Sequence, residues 1–243
     1  MIGRSLSLSG VSVSYAGKAA ISDVSFDVQD GEIFGLMGLN GAGKTTIIKS
    51  ILALREQDEG EILIHGDVKN SQKSKSQLAY LPEKFEPPWF LTGMEFLKFS
   101  LSLYKQPFDE SHLRKVAESL ALDSDALKRR VNTYSKGMRQ KLGLIGTLMT
   151  GGSLFILDEP MSGLDPLARA LVKKMISDMK HEKRTIFLSS HVLADMDEIC
   201  DRVALLHEGA IRFVGTPEDL KKQTDTHNLE QAFLEFIEYK KVA

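Results

Sequence analysis

Little in this chain could staple it from within. Its 243 residues include a single cysteine, Cys200, so no intrachain disulfide can form. That fits a reducing compartment. Cys200 lies in an apolar-periodic stretch and is expected to be a small buried hydrophobe. An excess of one charge is also missing: 31 Lys and Arg stand against 33 Asp and Glu, for a formal net charge of −2. This balance lacks the basic footprint of a nucleic-acid binder, and no nucleic-acid partner is expected. The clusters Lys128-Arg129-Arg130 and Lys221-Lys222 are short and read as solvated faces. Long apolar runs are absent too. The uncharged stretch Leu142 to Leu157 is too short to cross a bilayer and contains Gly143, Gly146, Gly151 and Gly152. It reads as a helix end, a glycine turn at 151–152 and a buried strand. Met1 to Gly10 has no long apolar segment of a secretory signal. Any membrane role is therefore expected to come through a partner.

What is present is ordinary globular composition, 42% hydrophobic and 26% charged. A chain of this length can bury a core without disulfide or metal. Leu6 to Val13 and Ile21 to Val28 read as half-buried strands, and Gly60 to Ile64 with Asp67-Val68 as a hairpin about His65-Gly66. Polar residues 71–76 lead into a strand at Leu78 to Leu81. Residues 92–150 are helical by period, opening on Thr92 with Glu95 three residues on, a capping box. Leu113, Val116, Ala117 and Leu120 mark another helix face there. The apolar strands Leu154 to Leu157 and Thr185 to Ser189 flank a helix from Pro166 to Lys180, with Asp165 as its N-cap. Val203 to Leu206 and Ile211 to Val214 form a hairpin about Glu208-Gly209. Apolar strands alternating with helices imply a parallel sheet covered on both faces.

The strongest signal is Gly38-Leu39-Asn40-Gly41-Ala42-Gly43-Lys44-Thr45-Thr46, a full G-x-x-x-x-G-K-[ST] phosphate-binding loop. It follows the short apolar strand Glu32 to Met37 and precedes a helix pattern at Thr46 to Leu52, the context the motif requires. Backbone N–H groups of such a loop surround phosphate oxygens, and the helix start adds its positive dipole end. Lys44 would reach the β- and γ-phosphates and the Thr45 hydroxyl would ligate Mg²⁺. Asp158, after four apolar strand residues, is placed to hold Mg²⁺ at the C-terminal edge of a parallel sheet. Glu159 follows at once, where a carboxylate could orient and polarise an attacking water. His191 follows the next apolar strand. If the two strands are neighbours, it can bond the γ-phosphate or Glu159.

In this order the motifs resemble the nucleotide-binding subunit of ATP-binding-cassette (ABC) transporters, over essentially the whole chain. Tyr15 resembles the aromatic that stacks on adenine. Tyr134-Ser135-Lys136-Gly137-Met138-Arg139-Gln140 resembles the family signature, whose Ser and Gly, here Ser135 and Gly137, bind the γ-phosphate of ATP held by the opposite subunit. Lys136 stands for a glycine, Met138 for a glutamine and Tyr134 for a leucine, a form similar to one exporter branch. Leu81-Pro82-Glu83 stands where the family usually has a glutamine that touches Mg²⁺ and the attacking water. Glu83 can still offer Mg²⁺ an oxygen. The Ser162-Gly163-Leu164-Asp165 loop also matches.

The resemblance implies an α/β fold, with a P-loop (RecA-like), mostly parallel sheet core, an antiparallel β subdomain and an inserted α-helical subdomain. The expected division is 1–90 and 151–225 for the catalytic core, 91–150 for the helical signature part and 226–243 for a closing helix. Leu229, Phe233, Phe236 and Ile237 share one face of that helix and are expected to pack on the core, with a dimer contact as the alternative. The resemblance further implies ATP and Mg²⁺ as ligands and catalytic roles for Lys44, Glu83, Glu159 and His191. The nucleotide would touch Tyr15, residues 38–46, Ser135 and Gly137, and the metal Thr45, Glu83 and Asp158. Partners would be polytopic transmembrane subunits and a second copy of the chain or a homologous ATPase subunit, at the cytoplasmic side of the cell membrane. Trp89 and Phe90 are expected either in a groove for the membrane partner or in the core. A soluble ABC ATPase acting on ribosomes or nucleic acid is the alternative. It lacks its usual marks here: two cassettes, a coiled-coil insert or a basic extension. A P-loop kinase would leave the signature segment unexplained.

Overall fold

The computed structural model describes residues 3–242, with side chains described as far as Ile237. Its front is a four-stranded antiparallel sheet in the order β2-β1-β4-β5. These strands are β1 (Arg4–Tyr15), β2 (Lys18–Gln29), β4 (Glu59–Ile64) and β5 (Asp67–Val68). The inward residues of β1 are Leu6 and Leu8, then Val11 and Val13, so the alternation changes parity at Ser9-Gly10. A register shift between Leu8 and Val11 and Gly10 at φ 62° account for it. The extra residue bulges out and returns the same face to the core. β1 and β2 run longer at both ends than their apolar patterns predict.

The second sheet is six-stranded, in the order β10-β9-β3-β8-β7-β6. It comprises β3 (Ile33–Met37), β6 (Leu78–Leu81), β7 (Leu154–Asp158), β8 (Thr185–Ser190), β9 (Arg202–His207) and β10 (Ala210–Gly215). All neighbours are parallel except β10 on β9. Every residue of β3, β7 and β8 is buried, as expected of parallel strands covered on both faces. Helix α1 (Lys44–Ile51) fills the space between the sheets with Ile47, Ile48 and Ile51. There Phe26 of β2 stacks on Phe34 and Phe187, with ring centroids 5.3 and 6.0 Å away.

The opposite face of the parallel sheet carries the remaining helices except α2 (Gln72–Gln77), which packs on β5. This short helix precedes β6. The sequence pattern missed it because six polar residues carry no apolar period; its marker is Ser71, whose side chain accepts from the Ser74 N–H. The insert contains α3 (Gly93–Leu103), α4 (Glu110–Ser119) and α5 (Lys136–Leu148). The Thr92–Glu95 capping box starts α3. Helix α6 (Pro166–His181) begins at the N-cap Asp165 with Pro166 in its first turn. Two short helices not anticipated from the sequence, α7 (Leu193–Ile199) and α8 (Pro217–Gln223), complete this layer with α9 (Leu229–Val242). In α9, Leu229, Phe233 and Ile237 are buried, and Phe236 meets Phe213 edge-on at 6.2 Å. The closing helix therefore packs on the core. Cys200 is buried as expected.

Candidate active site

The C-terminal ends of β3, β7 and β8 lie side by side, since β8 is paired with both others. This edge is where open α/β sheets take ligands. After β3 the chain turns through Gly41 (φ 82°) and Gly43 (φ 114°), backbone that side-chain-bearing residues avoid. At Gly38 an added Cβ would come within 2.6 Å of the Leu206 carbonyl oxygen. The loop thus depends on its glycines for shape and for close packing. Gly43 is the N-cap of α1 and offers no side-chain acceptor, which leaves the first N–H groups of the helix for an anion. Lys44 Nζ lies over the loop, donating to the carbonyls of Gly38 (2.7 Å) and Leu39 (3.3 Å). Burial pushes its pKa down, against the pull of Glu159, Asp158 and Glu83.

Asp158 and Glu159 are buried at the end of β7. Ser189, opposite Asp158 in β8, holds both. Its Oγ donates to Asp158 Oδ1 at 2.5 Å and accepts from the Glu159 N–H at 3.2 Å. Burial raises the Asp158 pKa; the Ser189 bond opposes this and Glu83 adds to it. Tyr80, near the same carboxylates, is pushed up to about 12, mainly by burial. Glu159 sits at φ 49°, a backbone region uncommon for a residue with a side chain and concentrated at functional sites. His191 Nδ1 lies 2.8 Å from Glu159 Oε2.

Lys44, Asp158, Glu159 and His191 line one cavity of about 730 Å³, within the range of small-ligand sites. Of the residues expected from sequence, Tyr15, Leu39, Asn40, Gly41, Gly43, Lys44, Thr45, Thr46, Glu83, Asp158, Glu159 and His191 line it. Tyr15 is partly exposed and carries the Arg55 guanidinium 5.3 Å from its ring centroid. Gly38 and Ala42 shape the loop from behind; the Ala42 carbonyl accepts from the Gly209 N–H at 3.2 Å. Ser135 and Gly137 are not among the lining residues. They begin α5, where Ser135 Oγ accepts from the Met138 N–H at 3.2 Å. Lysine 18, Ala19, Ala20, Glu208 and Gly209 line the cavity without having been singled out. Nor was Ser189. The hairpin turn at 208–209 was legible, but its place beside the loop follows only from β9 pairing with β3.

The donors suit a hard cation: the Thr45 hydroxyl and the Asp158 and Glu83 carboxylates offer only oxygen. Mg²⁺ sites commonly use one or two carboxylates together with substrate phosphates.

Residues 21–162 match the family model for ABC transporters. The chain belongs to this family. It is 36% identical over 214 residues to an uncharacterized ABC transporter ATP-binding protein of Nostoc sp., covering 87% of this chain and 64% of that one. It is 39% identical over 200 residues to another from Synechocystis sp., covering 81% and 56%. A fluoroquinolones export ATP-binding protein of Mycobacterium tuberculosis is 37% identical over 209 residues, covering 85% and 68%. The chain thus spans less than two thirds of the first two relatives. A solved ATP-binding subunit of an ABC transporter superposes with a TM-score of 0.88 at 32% identity, covering 96% of this chain and 99% of that one. In this ABC ATP-binding domain Tyr134, just before the start of α5, is buried. Its hydroxyl donates to the Ala126 carbonyl at 2.7 Å, so the tyrosine fills the helical part and satisfies its own polar end.

Proposed function

We propose that this chain binds and hydrolyses ATP as one of two subunits that sandwich the nucleotide, and that it thereby drives a separate membrane-spanning transporter, in the export direction. The decisive geometry is the Glu159–His191 pair, 2.8 Å apart, in the same cavity as Lys44 and Thr45.

The P-loop N–H groups, the uncapped start of α1 and Lys44 take the phosphates, and Tyr15 takes the adenine face. Thr45, Asp158 and Glu83 would hold Mg²⁺, which when bound would neutralise charge on the phosphates. Glu159 accepts the proton of the attacking water, and His191 orients its carboxylate. Ser135 and Gly137 serve the site of the second subunit. Closure on ATP then shifts the pair toward a compact state and hydrolysis releases it. The second subunit is another copy or a homologous ATPase subunit.

Among the described residues no helix is long and apolar enough to cross a membrane. In this reading polytopic partner subunits make the crossing, and the chain works at the cytoplasmic side. Trp89 and Phe90 are both exposed, 66% and 57%, and meet edge to face at 5.7 Å. That excludes the core alternative for them and suits a docking loop. Export is supported by the Tyr134 to Met138 sequence, by Glu83 in place of glutamine, and by likeness to the fluoroquinolones export protein.

Glu159→Gln tests the catalytic assignment. Its hydrolysis should fall about 10²- to 10⁴-fold, the usual range for a general base, while ATP remains bound. Near-normal turnover would contradict the role of Glu159.

A further inference from the structure

Behind the Glu159–His191 pair, on the side away from the P-loop, lies a second cavity of about 120 Å³. Its walls include Glu159, Ser162, Ser190 and His191, and also Arg169 and Asp195. Arg169 is in the first turns of α6, and its N–H donates to the carbonyl of Asp165, the N-cap at the end of the 162–165 loop. Asp195 is in the first turn of α7, two residues beyond the start of that helix and four beyond His191. The Arg169 guanidinium bonds Asp195 Oδ2, and Lys173 Nζ lies 3.6 Å from Asp195 Oδ1. Lys173 also bonds Glu198, so two cations of α6 face two carboxylates of α7.

The Asp195 side chain is only 7% exposed. A carboxylate so buried is held firmly, because separating it from its partners leaves an unpaired charge out of water. Leu193 and Met196 bury the apolar side of α7 in the core, but few polar bonds fix its start. Its N-cap, Val192, has no capping side chain, and one bond from the Val192 N–H to Ser190 Oγ, 3.0 Å, precedes it.

Resting on the hydrolytic role given above to Glu159 and His191, we propose that Arg169 and Asp195 are positioning residues: their ion pair locks α6 to α7, holds the His191 ring on the Glu159 carboxylate, and ties the 162–165 loop to the hydrolytic pair. Neither residue lines the larger cavity, so the pair acts on turnover and not on ATP affinity.

A double-mutant cycle on the full chain tests this, with ATP binding and steady-state hydrolysis measured for each variant. Asp195→Asn should lower kcat roughly 10-fold, with KM and the ATP dissociation constant within about twofold of wild type. On a His191→Ala background the same change should add less than about twofold, because the group it positions is gone. If Asp195→Asn does not fold, Arg169→Lys serves in its place. It keeps the charge but loses the planar fork, and should lower kcat alone by about threefold. Equal losses on the two backgrounds, or a KM that rises as kcat falls, would overturn the positioning role. Failure of the hydrolytic assignment is separable: it would show as no turnover in wild type or undiminished turnover in Glu159→Gln.

Discussion

Two helix starts in this molecule carry similar sequence logic and opposite surroundings. At α1, Gly43 caps without a side chain, and the helix opens into the cavity beside Lys44, Asp158 and Glu159. At α5, Ser135 caps with its own hydroxyl, and both Ser135 and its neighbour Lys136 are exposed. An alanine side chain built at Gly137 would lie 3.6 Å from Leu164 Cδ2 and 3.7 Å from the Gly163 carbonyl, so the start of α5 adjoins the 162–165 loop and not the cavity. One helix start is thus furnished with charged groups, and the other is bare. On the proposed sandwich, a single chain so arranged would supply two halves of different sites.

The comparison can be broken at either end. Ser135→Arg puts bulk and charge on the bare end. On the sandwich account, hydrolysis should fall about 100-fold, the scale of removing a phosphate or oxyanion donor, while a dilute chain should bind ATP within about twofold of wild type. A matching loss of affinity would place Ser135 in the same half-site as Lys44.

Asp158 probes the furnished end by stability. Burial raises its folded pKa above the unfolded value, so the folded chain binds the extra proton between those two values. Stability from this group falls as pH rises through that window, and the full penalty stands above the folded pKa. Asp158→Asn, which can still accept from Ser189, should raise the melting temperature at pH 7 by about 2–4 °C while hydrolysis is lost. The gain should fade as pH drops below about 4, where the unfolded chain also binds the proton. A lower melting temperature at pH 7 would show that the carboxylate is net stabilising.

Tyr134 is the smallest expected effect. Tyr134→Phe removes one buried bond to Ala126 and should destabilise by about 1 kcal/mol, read by denaturant unfolding, with turnover unchanged. A large fall in turnover would mean that the tyrosine acts on nucleotide directly.

The P-loop was legible because its chemistry resides in local backbone, and glycine spacing alone specifies it. Asp158 and Glu159 were legible because a strand end is a local event. Ser189 was not, since only the pairing of β7 with β8 sets its hydroxyl against both carboxylates. The cavity wall from Lys18 to Ala20 was hidden for the same reason: it depends on how two sheets close around α1. Trp89 and Phe90 show the limit of composition. Aromatics suit core and interface alike, and only their exposure places these two outside the core.

The central claim is that a working site needs groups from two chains, and mixing two dead variants tests it most directly. Lys44→Ala disables the furnished half and Ser135→Arg the bare half, so each homodimer should be inactive. In a mixed dimer, one site joins an intact P-loop to an intact signature. The account predicts that mixing the two purified variants restores ATP hydrolysis, with a rate that rises and then saturates as one variant is titrated into the other. Two inactive variants that stay inactive at every mixing ratio, despite forming mixed dimers, would contradict it.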